Sequence, residues 1–241
     1  MSENRRRTPL ALIVVAGLSV AAVFAAAGDR FWPLAESQAP GGVQWLAHPA
    51  LPFDILATEV SVEQFKGCLD AGACEPSTVS ERCNLGKEGR EGHPVNCVTY
   101  PGAEQFCGFV GGRICAESEW LEACSGTDQR AFPYGPEFID GACNVASGTS
   151  APGGPASLST VEVGSLESCA GGLPGLHDMA GNVAEWVAEC KGDYCKFRGA
   201  GYMSNEPVDR FAGCTGVCSG NDKSLQSGVV GIRCCRDRPA G

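Results

Sequence analysis

The sequence predicts a single disulfide-rich α+β domain with little regular secondary structure, preceded by one transmembrane or signal helix. Three observations lead there. The 33 glycines and 15 prolines make up about a fifth of the 241 residues, turn-rich yet short of the roughly 25–30% typical of disorder. Fifteen cysteines call for an oxidising compartment, because cytosolic thiols stay reduced. Pro9 to Ala27 then runs for nineteen residues without a charge.

That apolar run follows Arg5-Arg6-Arg7, and its length is at the lower margin of the roughly 20 residues that span a bilayer. Positive charge before it would hold residues 1–8 in the cytoplasm and send the rest outside. Ala25-Ala26-Ala27 equally suits the small-residue cleavage site of a signal peptide. Both readings stay open, and both export the domain to the periplasm or cell surface. Residues 28–50 carry Pro33, Pro40, Pro49 and Gly41-Gly42 and read as a linker into a domain over 51–241. Phe53 to Val60 reads as a strand. Ser61 and Gln64 have the spacing of a capping box, opening a helix over Val62–Leu69.

Between Cys68 and Cys97 the chain is loop-like. A second helix is expected from near Pro101, whose missing N–H is harmless in a first turn, to before Gly111-Gly112. A third covers Glu117–Cys124, anchored by Trp120 and Leu121. Gly141 to Val163 is loop. Gly175-Leu176-His177-Asp178-Met179-Ala180-Gly181-Asn182-Val183-Ala184-Glu185-Trp186 has no clean helical or strand period and reads as a structured loop. A short strand near Phe197 and a closing strand over Gly228–Cys234 complete the chain.

The net charge of −10, with one tight basic cluster at the N-terminus, argues against nucleic-acid partners. Zinc competes with disulfides for the cysteines, but no CxxC pair occurs and His48, His93 and His177 are scattered, which favours disulfides. Glu117 and Glu119, two apart on a helix, point to different faces and do not form an acid–base pair. No Gly-x-Ser-x-Gly motif or phosphate loop appears.

Several blocks stand in a recognisable order: Thr58-Glu59-Val60, His93-Pro94-Val95, Gly112-Arg113, Glu117-Ser118-Glu119-Trp120, the Gly175–Trp186 stretch, Arg198-Gly199 and Gly231-Ile232-Arg233-Cys234. From about Leu51 to Arg236 this resembles the formylglycine-generating enzyme (sulfatase-modifying factor) family. The resemblance implies a C-type-lectin-like domain of small sheets and long ordered loops. It also implies a calcium site at the Gly175–Trp186 stretch, formed by the side chain of Asp178, the carbonyls of Gly181 and Val183, and Glu185. Hard oxygens of that kind suit calcium. The alternative is that Glu185 and Asn182 only hydrogen-bond within the loop while Trp186 packs in the core. A second, weaker calcium site would begin at Asn144-Val145, but Ala146 to Thr160 holds no acid.

Active members of the family oxidise a cysteine of an unfolded sulfatase segment, using oxygen and copper held by two cysteines. Soft thiolates select Cu(I). The matching stretch here, Arg198-Gly199-Ala200-Gly201-Tyr202-Met203, is followed by Ser204 where the first thiolate belongs, and Asp209 stands at the second position. Copper is therefore not expected, and Cys214 and Cys218 are weak substitutes. The resemblance assigns Cys107 to Cys234 and Cys124 to Cys214 as disulfides. The remaining guesses are Cys68–Cys74, Cys83–Cys97, Cys143–Cys169, Cys190–Cys195 and Cys218–Cys235. That leaves Cys115, read as a buried inert thiol. The preferred function is a non-catalytic binding or scaffold domain for a peptide, glycan or cell-envelope partner. An oxidase using other cysteines and a ligand-free structural protein are the alternatives. The iron-dependent branches of the superfamily need a histidine cluster and an added helical domain, and neither is present.

Overall fold

The computed structural model describes residues 40–76, 82–145, 159–203, 213–216 and 219–238. The apolar run over residues 9–27 and the basic residues before it lie outside the described residues. Among the described residues, no helix is long and apolar enough to cross a membrane.

The first strand, β1 (Trp45–Ala47), falls inside the expected linker and pairs antiparallel with β2 (Phe53–Leu56). The domain thus begins before residue 51. Strand β2 stops four residues short of the expected Val60, and Val60 bonds instead to Val95 and Ile232. Helix α1 (Val62–Asp70) opens on the expected capping box, with Ser61 Oγ accepting from Gln64 N and Gln64 Oε1 from Ser61 N. Its Val62, Phe65 and Cys68 are buried, one face at helical spacing. Helix α2 (Tyr100–Phe109) is capped by Thr99, whose hydroxyl accepts from Gly102 N. After β3 (Arg113–Ile114) comes α3 (Glu117–Ser125), where the Glu119 carboxylate reaches back to Ala116 N.

The C-terminal half contributes β4 (Ala184–Lys191), β5 (Tyr194–Arg198), β6 (Ser219–Asp222), β7 (Val230–Gly231) and β8 (Cys234–Asp237). Two four-stranded sheets result, in the orders β1-β2-β8-β3 and β6-β5-β4-β7, antiparallel except for the β4–β7 pair. The expected closing strand over Gly228–Cys234 is therefore two strands in two sheets, and Ile232 and Arg233 carry the chain from one sheet to the other. Strand β4 was expected to be loop as far as Trp186. Its first four residues are all buried, with Ala184 and Trp186 in a core cluster around Phe65 and Phe106 and Val187 in a second cluster around Trp120 and Met179. A strand covered on both faces shows no alternation.

Seven disulfides join fourteen cysteines. Six are the expected pairs Cys68–Cys74, Cys83–Cys97, Cys107–Cys234, Cys124–Cys214, Cys143–Cys169 and Cys190–Cys195. The seventh corrects the reading of two residues: Cys115 is bonded to Cys235, so it is no free thiol and Cys218 does not pair with Cys235. The register of β3 on β8 sets Ile114 opposite Cys234 and Arg113 opposite Cys235, which brings Cys115 within 4.7 Å of Cys235, Cα to Cα. The odd cysteine is Cys218, which lies outside the described residues. Such a covalent inventory belongs to an oxidising, extracytoplasmic compartment.

Candidate functional site: a buried acid cluster and the edge of a cavity

The 175–186 stretch takes its shape from backbone conformations that few side chains favour. Asp178, Gly181 and Asn182 all have positive φ, at 59°, 83° and 58°. A Cβ on Gly181 would come 2.6 Å from the carbonyl oxygen of Asn144, so glycine is required there for the approach as well as the angle. Asn182 organises what surrounds it. Its N–H donates to Asn144 O, its side-chain oxygen accepts from Val161 N at 2.9 Å and Asn144 Nδ2 at 3.2 Å, and its amide donates to Glu59 Oε2 at 2.6 Å. The other Glu59 oxygen accepts from Val183 N at 2.8 Å.

Glu185 follows on β4 and is fully buried. Both of its oxygens accept from Arg233 Nε at 2.9 Å, and Oε2 also accepts from Trp120 Nε1. The Arg233 guanidinium is itself fully buried and caps the carbonyls of Leu56 and His177 at 2.8 Å each. Asp178, 2% exposed, accepts from Gly164 N. Three buried acids thus face one buried arginine. Burial pushes Glu59 well above the ordinary carboxylate range, with Asp178 and Glu185 adding to it. Burial also raises Asp178 and Glu185, opposed for Asp178 by the Gly164 N–H and Arg233, and for Glu185 by Arg233 and Trp120.

The donor chemistry can be compared with what calcium needs. The cluster is short of positive charge, which a divalent cation would supply, and the Asp178 carboxylate fits as a hard ligand. Glu185 does not fit as a direct ligand, because its oxygens are bonded to a guanidinium and an indole N–H. Among the described residues, no three acidic, histidine or cysteine side chains converge to hold a metal. At the weaker position, Asn144 Nδ2 donates to Ser159 O and Asn182 Oδ1, and Val145 N donates to Cys143 O.

Of the positions that bear on copper, Ser204, Asp209 and Cys218 lie outside the described residues. Cys214 is described, and its sulfur is bonded to Cys124 with both residues fully buried. A hydroxyl, a carboxylate and a closed disulfide do not make a soft thiolate pair, so the residues do not fit copper. Met203, the residue before Ser204, lines a cavity of about 250 Å³ together with Arg82, Asn84, Arg90, Thr160 and Tyr202. Glu117 and Glu119 serve separate partners, Glu117 accepting from Lys196 and Arg198 and Glu119 from Arg113, and they form no acid–base pair.

Sequence reasoning did not single out Glu59 and Arg233 as members of one site. The available signal was an acid and an arginine inside apolar runs, Glu59 before Val60 and Arg233 after Ile232, where burial demands a partner.

A family model for the sulfatase-modifying factor enzyme 1-like domain matches residues 7–238. The serine/threonine-protein kinase pkn1 of Chlamydia caviae is 34% identical over 101 residues, 42% of this chain and 14% of the kinase. The formylglycine-generating enzyme of Thermomonospora curvata is 31% identical over 104 residues, 42% of this chain and 34% of that protein. The matched stretch is thus a minor part of either relative's length. The structure of PvdO from Pseudomonas aeruginosa superposes with a TM-score of 0.60 at 20% identity, covering 77% of this chain and 80% of that one, which shows a shared fold. The chain belongs to the sulfatase-modifying factor enzyme 1-like domain family.

Proposed function

We propose that this domain is a non-catalytic member of its family, an extracytoplasmic binding or scaffold domain whose partner is a peptide, glycan or envelope protein. The observation that carries the reading is Ser204 and Asp209 at the positions of the family's copper cysteines. The Cys124–Cys214 disulfide keeps Cys214 from standing in for them. Loop variation on a rigid, cross-linked framework is how such folds acquire ligands. The run over residues 9–27 would tether the domain to the membrane, or be cleaved after export. Calcium at Asp178 would serve as a structural ion that offsets the buried acids. Titration of the purified protein with Cu(I) against a competing chelator tests the main point. Absence of stoichiometric uptake is expected, and tight one-to-one uptake would refute it.

The likeness to a named formylglycine-generating enzyme favours a second reading, an oxidase that turns over with a different cysteine pair. That reading requires a reduced thiol pair in the native protein. Thiol counting under non-denaturing conditions would find two or more for the oxidase and at most one for the scaffold.

A further inference from the structure

Arg82, the residue before Cys83, and Arg90, within the loop closed by the Cys83–Cys97 disulfide, both line the cavity that ends at Met203. The described part of the chain holds eight arginines. Six of them, Arg113, Arg130, Arg198, Arg233, Arg236 and Arg238, are paired with a carboxylate. The two without one among the described residues are Arg82 and Arg90, and they share one cavity.

Asn84 and Thr160 in the wall are already committed. Asn84 Nδ2 donates to Pro94 O and Thr160 Oγ1. Behind the wall, His93 bonds Thr160 Oγ1 at 2.9 Å, and burial, helped by Arg90, holds it below the ordinary histidine value. Arg90 spends Nη1 on Thr160 O and His93, which fixes the guanidinium plane and leaves Nε and Nη2 without a bond to a described residue. Arg82 is exposed at the rim, and both cations act on the Tyr202 hydroxyl. The recess thus presents the guanidinium groups of Arg82 and Arg90 and the ammonium group of Lys87 beside the Tyr202 phenol.

We propose that this cavity binds an oxyanion, the carboxylate, sulfate or phosphate group of an anionic partner, with Arg90 as the fixed fork and Arg82 as the rim cation. Guanidinium groups match such oxygens in pairs. The size limits the ligand: about 250 Å³ falls below the roughly 300–1,000 Å³ of pockets that enclose whole small molecules. The recess takes an acidic end group and leaves the rest of the ligand outside. The inference deepens the binding reading and rests on it for the existence of a ligand, yet it is measured without copper or substrate peptide.

The test is titration of the full chain with sodium acetate, sulfate and phosphate at constant ionic strength, following the Nε–Hε resonances of Arg82 and Arg90 by NMR. Saturable shifts of both with at least one anion are expected, and the arm that saturates at lowest concentration identifies the oxyanion class. Arg82→Gln, an exposed change that leaves the fold alone, is expected to weaken binding about tenfold, the loss of one charged hydrogen bond. Arg90→Lys, which keeps the charge and loses the fork, should weaken it as well. Shifts that never saturate in any arm, or an R82Q titration that superimposes on the parent's, overturn the proposal. A failed copper titration leaves it standing.

Discussion

Replacing Arg233 with methionine removes the cation from the buried acid cluster while keeping a side chain of similar length. Arg233 is fully buried, gives Nε to both oxygens of Glu185 at 2.9 Å, and caps the carbonyls of Leu56 and His177 at 2.8 Å. Breaking a buried ion pair from one side costs roughly 3–5 kcal/mol, because a charge is left without its partner. Each orphaned carbonyl adds about 1–3 kcal/mol, and since relaxation makes these contributions overlap, a total of about 5 kcal/mol is expected. That is a large share of the roughly 5–15 kcal/mol by which domains are stable. Adding Glu185→Gln removes the charge and keeps an oxygen for the Trp120 N–H, so the double variant should regain about 2 kcal/mol relative to R233M alone. Guanidinium denaturation under non-reducing conditions reads this through the buried Trp120 and Trp186. An R233M variant within about 1 kcal/mol of the parent, or a double variant in which the two losses simply add, would refute the reasoning.

Cys115→Ser with Cys235→Ser removes a link over a span that Cys107–Cys234 already closes, so only the short ring of about nine residues between the two disulfides is released and stability should fall by about 2–3 kcal/mol on the chain-entropy account; peptide mapping without reduction should recover Cys115 joined to Cys235. Chelation of calcium from the purified protein should lower its thermal midpoint and Asp178→Asn should abolish that response, whereas an unchanged midpoint removes calcium from the account. In calcium-free protein the folded pKa of Glu59 lies above its unfolded value, so the unfolded chain releases the proton first. Stability contributed by this group falls as pH rises from about 4.3 toward the raised value. Glu59→Gln should flatten that slope, read from denaturation midpoints at a series of pH values. Gly172→Ala sets a Cβ 2.1 Å from Ala123 O at a φ of +74° and should cost roughly 2 kcal/mol or more, where a neutral result would show that the turn against α3 can shift.

Much of the fold was legible because local chemistry and global packing agree. Ser61 and Gln64 announce α1 by themselves, and Pro101 with Gly111-Gly112 announces α2. The sequence misled where tertiary context overrides period. Ala184 to Val187 are buried on both faces of β4, which erases the alternation that marks a strand. The run Gly228–Cys234 reads as one strand, yet Arg233 turns inward to Glu185 and divides it. Short strands such as β1, three residues long, carry too few side chains to show a period. Of the site, Asp178, Asn182 and Glu185 were visible as a polar group in a glycine-bearing loop. Their partners Glu59 and Arg233 stand 123 residues before Asn182 and 48 after Glu185, a separation no local pattern spans. Cys115 was misassigned for a related reason: connectivity follows register between distant strands, and the β3–β8 pairing decides it.

The central claim is that this chain keeps the family's framework and lacks its copper thiolates. The most direct measurement incubates the purified, disulfide-intact protein with copper, oxygen and a cysteine-containing sulfatase peptide, and follows conversion of that cysteine to formylglycine by mass spectrometry. The account predicts an unchanged peptide, beside a family enzyme that converts it under the same conditions. Turnover that depends on copper and survives exclusion of other oxidases would contradict it.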